Sequence, residues 1–295
     1  MELRQLKYFV TTAETLSFSD AARKLFISQS TLSQQIRQLE SELGTELFKR
    51  DSHNVALTEA GDRLLPLART AIYDADICKT QMLDLQEEVS GTLNVGLIYS
   101  FSHFFVEPMR RFLLQYRNVK LNIYYTNSRK LLDLLRRRKI DFALAFRTGN
   151  GFDDVESQVL FKDTLCAVVR KDHVLADKKK ITLEELQGYG IVMPACGMQS
   201  RLMLDEYLSL SNANLKVRIE LNDANLMVNL ISNSALLVGL LTADTVSHHP
   251  DLRAIPLDVP DNAIYGCLHV LKDAYVKRSA RILMDMIEEK LAKTE

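Results

Sequence analysis

The chain has 295 residues, 47% apolar and 25% charged, with 37 basic and 38 acidic side chains and a net charge of −1. That length suits two or three domains. The even charge excludes a histone-like or non-specific nucleic-acid coat, while leaving room for a small DNA-reading module on a near-neutral body.

No apolar run approaches the roughly 18 residues a membrane span needs. The opening MELRQLKYFV is amphipathic and charged, without a signal-peptide apolar core. Four scattered cysteines (Cys78, Cys166, Cys196, Cys267) form no CxxC and read as reduced thiols of a cytoplasmic protein.

Residues 1–58 read as helix-rich. Leu3, Leu6, Phe9, Val10 and Ala13 give a first helix one apolar face. In SFSDAARKLF, Ser17 and Asp20 have capping-box spacing, and Ala21, Ala22 and Leu25 form a short face that a neighbour can approach closely. FIS makes a tight turn. In the following ISQSTLSQQIRQLESELG, Ser28 is placed to cap a helix that Gly44 ends. Leu32, Ile36, Leu39 and Leu43 are spaced four, three and four, the period of one buried face. Opposite them lies a band of Gln29, Ser30, Ser33, Gln34 and Arg37, and the acids Glu40 and Glu42 come only afterwards.

Two short helices joined by a tight turn are a helix-turn-helix, whose second helix normally enters the major groove. Gln29 can pair with adenine N6 and N7, Ser33 can meet several base edges, and Arg37 can reach phosphate or guanine. Ser28 and Thr31 can bond to phosphate. A solvated helix face is the plain alternative, and the neighbouring helix and wing weigh against it. In LFKRDSHNVALTEAG two extended pieces flank RDSHN, a hairpin or wing with Arg50 placed for the nucleic-acid backbone and His53 at the tip.

A long helix follows. Thr58 is its N-cap, and Leu64, Leu67, Ala68, Ala71, Ile72, Ala75, Cys78, Met82 and Leu85 keep a helical period toward Gly91. About 32 residues at 1.5 Å each span about 48 Å, and a second copy is the natural cover for such a stripe. Pro66, near the start, predicts a local kink and not a break.

From residue 92 strands and helices alternate. TLNVGLI, VKLNIYY and IDFALAF read as alternating strands, followed by TLCAVVR, GIVMP, KVRIEL and ALLVGLL. YGCLHVL is a late strand, and 277–292 a terminal helix. The pattern is α/β architecture built twice, with the chain returning to the first unit at the end.

Ser100 and Ser102 follow the first strand, where open α/β sheets place ligands and helix N-termini offer N–H groups. Thr148, Gln199 and Ser200 are similarly placed, and Arg147 could neutralise a carboxylate. Helix capping alone is the plainer account of the two serines. The set predicts a small anionic or polar ligand.

RRRK at 136–139 reads as a cationic helix end and KKK at 178–180 as a surface loop. His248, His249 and His269 lack metal-site spacing and read as loop or core residues. GxSxG, Walker A and GxGxxG motifs are absent, and no paired carboxylates share a face. Neither an enzyme nor a bound cofactor is expected.

These residues carry a resemblance. LKYFVTTAETLSFSDAARKLFISQSTLSQQIRQLESELGTELFKRDSHNVALTEAG resembles the DNA-binding module of the LysR-type transcriptional regulators nearly position by position. The body resembles that family's effector domain by length and strand order. The resemblance implies an all-α winged helix-turn-helix at 1–58 and a linker and dimerisation helix at 59–90. It implies an effector-binding domain at 91–295, made of two α/β subdomains like those of type 2 periplasmic binding proteins. Subdomain I would cover about 91–162 and 268–295, and subdomain II about 163–267.

It also implies a homodimer or dimer of dimers, promoter DNA of interrupted dyad symmetry, a small effector between the subdomains, RNA polymerase as a further partner, and no membrane. Two positions of the recognition helix depart from the family pattern. Ser30 stands where Pro is common, and Gln34 stands where Arg is common, which shifts the expected base preference toward adenine. In the wing, His53 replaces the usual minor-groove Arg. Cys196 lies near the loop where some members keep a peroxide-sensing thiol, but is offset and lacks the partner cysteine. A transport or enzymatic role for the α/β body is disfavoured by the N-terminal module and the missing nucleophile motifs.

Overall fold

The computed structural model describes residues 1–50, 55–85, 89–149 and 152–292. They form two compact units, Met1–Glu88 and Val89–Glu295.

The first unit opens with α1 (Leu3–Thr15), α2 (Phe18–Lys24) and α3 (Gln29–Leu43). Each start has a local cause. Glu2 and Gln5 close a capping box on α1. The Ser17 hydroxyl accepts from Asp20 N–H at 3.2 Å, and the Ser28 hydroxyl from Thr31 N–H at 3.1 Å. Gly44 ends α3 at φ 68°, a left-handed conformation that glycine adopts without penalty. The α2–α3 turn is unusual in placing Phe26 at φ 56° and 94% exposed.

Leu32, Ile36 and Leu39 are fully buried and pack with Phe9, Phe18, Ala21 and Phe48. Leu43, expected on the same stripe, is exposed. It is the last residue of the helix and projects past the core that its predecessors fill.

β1 (Phe48–Arg50) and β2 (Val55–Leu57) pair antiparallel, with Phe48 opposite Leu57. Glu40 ties this wing to α3, its Oε1 accepting from Leu47 N–H at 2.9 Å and Phe48 N–H at 3.3 Å. The wing tip, including His53, lies outside the described residues.

Helix α4 (Glu59–Leu85) has 27 residues, about 40 Å at 1.5 Å per residue. Thr58 caps it by accepting from Gly61 N–H at 3.0 Å. The helix continues through Pro66. Gly61 sits so close to the wing that an added Cβ would lie 2.3 Å from the Leu47 carbonyl oxygen. One face of α4, with Leu64, Ala68 and Ile72, packs into the first unit's core, and Arg69 pairs with Glu14 of α1 at 3.2 Å.

The second unit contains β3 (Gly91–Leu97), α5 (Ser102–Gln115), β4 (Val119–Tyr125), α6 (Ser128–Arg136), β5 (Phe142–Phe146) and β6 (Val155–Asp163). Then come β7 (Leu165–Arg170), β8 (Gly190–Pro194), α7 (Gln199–Leu210), β9 (Val217–Leu221), α8 (Ala224–Ser232), β10 (Leu237–Thr242), α9 (Ala243–Val246) and β11 (Leu252–Pro256). β12 (Ile264–Leu271) and α10 (Arg278–Ala292) finish the fold. Two five-stranded sheets result, ordered β4-β3-β5-β12-β6 and β11-β7-β10-β8-β9.

The chain passes to the second sheet at Thr164 and returns before Ile264, a few residues ahead of the 267/268 junction read from the sequence, because β12 pairs with β6 from Ile264 onward. Asn262 staples the two passages. Its Oδ1 accepts from Leu165 N–H at 2.8 Å, and its Nδ2 donates to the Leu165 and Leu257 carbonyls, both at 2.9 Å.

Two strands, β6 and β11, escape the sequence reading. Each is a sheet edge with a partly exposed, mixed pattern. Conversely FALAF, read as alternating, is buried at all five positions. It is central between β3 and β12 with both faces covered, as inner strands of such sheets are.

Candidate functional site

The first unit presents one polar helix face. Ser28, Gln29, Ser30, Thr31, Gln34 and Arg37 are exposed and Ser33 half-buried. The Ser28 hydroxyl lies 2.8 Å from those of both Ser30 and Thr31, so the first turn carries a hydroxyl cluster. That turn has no acidic residue. Gln29 is anchored from α2, its Oε1 accepting from the Ser19 hydroxyl at 2.9 Å. Arg37 leans back along the helix, with Nη2 3.2 Å from Ser33 Oγ. Arg50 closes β1, opposite Val55. Ser19, bonded to Gln29, escapes the sequence reading: it breaks no local pattern, and only the packing of α2 against α3 brings it there.

The second unit holds a cavity of about 340 Å³ between its two sheets, at the small end of the roughly 300–1,000 Å³ typical of ligand sites. Its floor is made of buried hydroxyl residues: Ser100, Ser128, Ser200, Thr242 and Thr245. Ser100 Oγ lies 3.0 Å from Thr245 Oγ1, which lies 2.8 Å from Thr242 Oγ1. This chain of hydroxyls joins the two subdomains. Ser128 opens α6, and Gln199 and Ser200 open α7. Asn127 caps α6 by accepting from Lys130 N–H at 2.9 Å. Met198, at the head of α7, offers no side-chain cap. The floor therefore presents hydroxyls together with the positive ends of two helices, an arrangement suited to an anion.

Of the sequence-predicted set, the cavity gathers Ser100, Gln199 and Ser200. Ser102 does not line the cavity; its hydroxyl acts on the Tyr125 phenol, which does, and lowers that phenol's pKa against the effect of burial. Arg147 and Thr148 are not brought in. Phe146 lines the cavity, and the next residue of an extended chain faces the other way. Arg147 is exposed, with its guanidinium 5.9 Å from the Tyr265 ring centroid. The lining cation among the described residues is instead Lys130, and the lining acid is Asp223. Tyr99 and Tyr125 also line it; burial and the Asp223 charge push both phenols above their ordinary pKa.

A second polar cluster adjoins the floor and has no signal in the sequence. His103 of α5 lies 3.5 Å from Asp244 of α9 and stacks edge-on against His248, ring centroids 4.1 Å apart. Burial, then the His248 and Lys290 charges, lower His103 to about 4. Burial and the neighbouring Asp163 raise Asp244 to about 7.

The other weak candidates have structural explanations. Arg136 pairs with Asp154 at 2.7 Å, and Lys180 with Asp258 at 3.3 Å. His269 is a buried core residue of β12, bonded to Ser157 at 2.8 Å and the Ala145 carbonyl at 3.2 Å. Burial pushes the Cys166 thiol up to about 12. Cys196 is exposed in the loop before α7. No helix among the described residues is long and apolar enough to cross a membrane.

Comparison with known proteins agrees with this geometry. Residues 3–62 match the bacterial regulatory helix-turn-helix model of the lysR family, and 86–292 match the LysR substrate binding domain. The transcriptional regulator YtlI of Bacillus subtilis is 31% identical over 76% of this chain and 72% of its own. The transcriptional activator CmpR of Synechocystis is 26% identical over 75% of this chain and 72% of its own. A cysteine-to-aspartate variant of full-length OxyR from Pseudomonas aeruginosa covers 99% of this chain and 94% of its own with a TM-score of 0.72 at 21% identity. CbnR in complex with its target DNA covers 98% of this chain and all of its own at 0.64 and 18%.

The chain belongs to the LysR family of transcriptional regulators. It is a DNA-binding regulator that carries an effector-binding domain, and not an enzyme.

Proposed function

We propose that α3 reads promoter DNA through Gln29, Ser33, Gln34 and Arg37, with Ser28, Ser30, Thr31 and Arg50 on phosphates and His53 at the wing tip. The observation that carries this is the acid-free, hydroxyl-rich first turn of α3, exposed opposite a fully buried Leu32–Ile36–Leu39 stripe. Two copies pair through α4, whose second apolar face (Leu67, Ala71, Cys78, Met82 and Leu85) is exposed. This pairing sets the interrupted dyad of the DNA site. The protein acts in the cytoplasm and passes its output to RNA polymerase at the bound promoter.

The effector is a small polar or anionic molecule held on the floor of Ser100, Ser128 and Ser200. Its binding shifts the population between DNA-bound geometries, which requires different effector affinity in each.

Footprinting on DNA upstream of the protein's own gene, across a salt series, tests the reader. A protected dyad whose affinity falls steeply with salt is expected, and no selective protection at low salt would overturn it. Ser200→Ala should weaken the effector response while leaving effector-free DNA affinity unchanged. Equal loss of both would count against the cleft.

A further inference from the structure

The hydroxyl floor accounts for one end of a ligand. The mouth of the same cavity has different chemistry. Tyr99, in the 3-10 turn after β3, and Tyr125, ending β4, line it with their rings. Asp223 reaches both phenols electrostatically from the facing subdomain. Its Oδ1 caps α8 by accepting from Leu226 N–H at 2.9 Å, and among the described residues Oδ2 has no partner. The Gln199 Oε1 acceptor is buried with no hydrogen-bond partner among the described residues. The Tyr99 hydroxyl is already committed, donating to Asn225 Oδ1 at 3.4 Å.

The mouth thus offers two phenol side chains and a carboxylate oxygen. All of these attract a cation that donates hydrogen bonds.

The rest of the charged and hydroxyl lining has the opposite character. Lys130 lines the cavity without an acidic partner among the described residues. Ser128 and Ser200, 5% and 6% exposed, line it too, and among the described residues neither hydroxyl has a hydrogen-bond partner. Among the described residues the lining holds one lysine, from the first subdomain, and one aspartate, from the second. A dicarboxylate would set a negative charge against Asp223. A simple carboxylate would leave the Asp223 charge unmatched.

We infer that the effector is a small zwitterion, its carboxylate on the Ser128–Ser200 floor beside Lys130 and its protonated amine at the mouth among Tyr99, Tyr125 and Asp223. This rests on the reading of the cavity as the effector site and adds the amine subsite to it. Because each subdomain supplies one of the two charges, a ligand that meets both draws the walls together.

The test is calorimetric titration and thermal denaturation of the full-length protein with the standard α-amino acids. The same skeletons without the amine, and again without the carboxylate, are titrated in parallel. At least one amino acid should bind, with both truncated counterparts weaker by about tenfold or more. Asp223→Asn keeps α8 capped, since Asn caps as well as Asp. It should reduce amino-acid affinity to that of the amine-free acid and leave the acid's own affinity unchanged. Tyr125→Phe, which keeps the ring, should retain the preference for the amine.

Amine-free acids that bind as tightly as amino acids, or an Asp223→Asn effect equal on both, would overturn the amine subsite and leave the cleft reading standing. Binding by neither series also overturns the inference. In that case a thermal shift by metabolite extract that Ser200→Trp abolishes would preserve the cleft as an effector site, and no such shift would sink both.

Discussion

Gln34 and the His103–Asp244 pair stand in opposite settings, one exposed on α3 and the other half-buried between α5 and α9. Gln34 is exposed on the polar side of α3, and its amide has the donor and acceptor that adenine pairing requires. Gln34→Arg should move the preferred base at one position of each half-site from adenine toward guanine, measured by selection of bound sequences from a random pool. An unchanged set would exclude Gln34 as a reader.

The half-buried pair makes a pH prediction. Asp244 is raised from 3.8 to about 7, so its contribution favours the fold at low pH and is lost as pH rises through about 7. His103 is lowered from 6.5 to about 4, so its contribution favours the fold at high pH and is lost as pH falls through about 4. Between those limits the two slopes oppose. Denaturation across pH 4–7 should therefore be flatter for the native chain than for either variant. Asp244→Asn should lose stability on acidification, and His103→Gln should gain it.

At the level of elements, helix α4 is where sequence pattern and packing separate. Its stripe is legible as one apolar period, but the structure divides it. Leu64, Ala68 and Ile72 are covered within the first unit. Leu67, Met82 and Leu85 remain 67%, 55% and 77% exposed, so a partner must cover them if they are to leave water. Leu67→Glu with Met82→Glu should dissociate the dimer in sedimentation while helicity by circular dichroism is retained, whereas Ala68→Glu should unfold the first unit. Retained dimers in the double variant would rule out this face. The strands β6 and β11 escape detection for a related reason. An edge strand faces water on one side and along its rim, so its composition resembles a loop.

For the whole molecule, the decisive feature is that the chain crosses twice between two sheets and is fastened there by Asn262. Asn262→Ala leaves the Leu165 N–H and two carbonyls without that partner. Stability should fall by roughly 1–3 kcal/mol, and hydrogen exchange should rise first at 163–166 and 257–264. Uniform exchange across both sheets would mean that the crossing is not a distinct unit.

The helix-turn-helix, its caps, its buried stripe, the long helix and the doubled strand–helix alternation are all legible in the chain before it folds. Each is written in residues a few positions apart, because helical and strand periods are local. The ligand cavity is not local. Ser100 meets Thr245 across 145 positions, and Tyr99 meets Asn225 across 126. That Lys130 and Asp223 line the cavity while Arg147 does not emerges only when the two sheets come together. A side chain's direction at a strand end depends on which face its sheet presents to the neighbouring subdomain, and no local period encodes that.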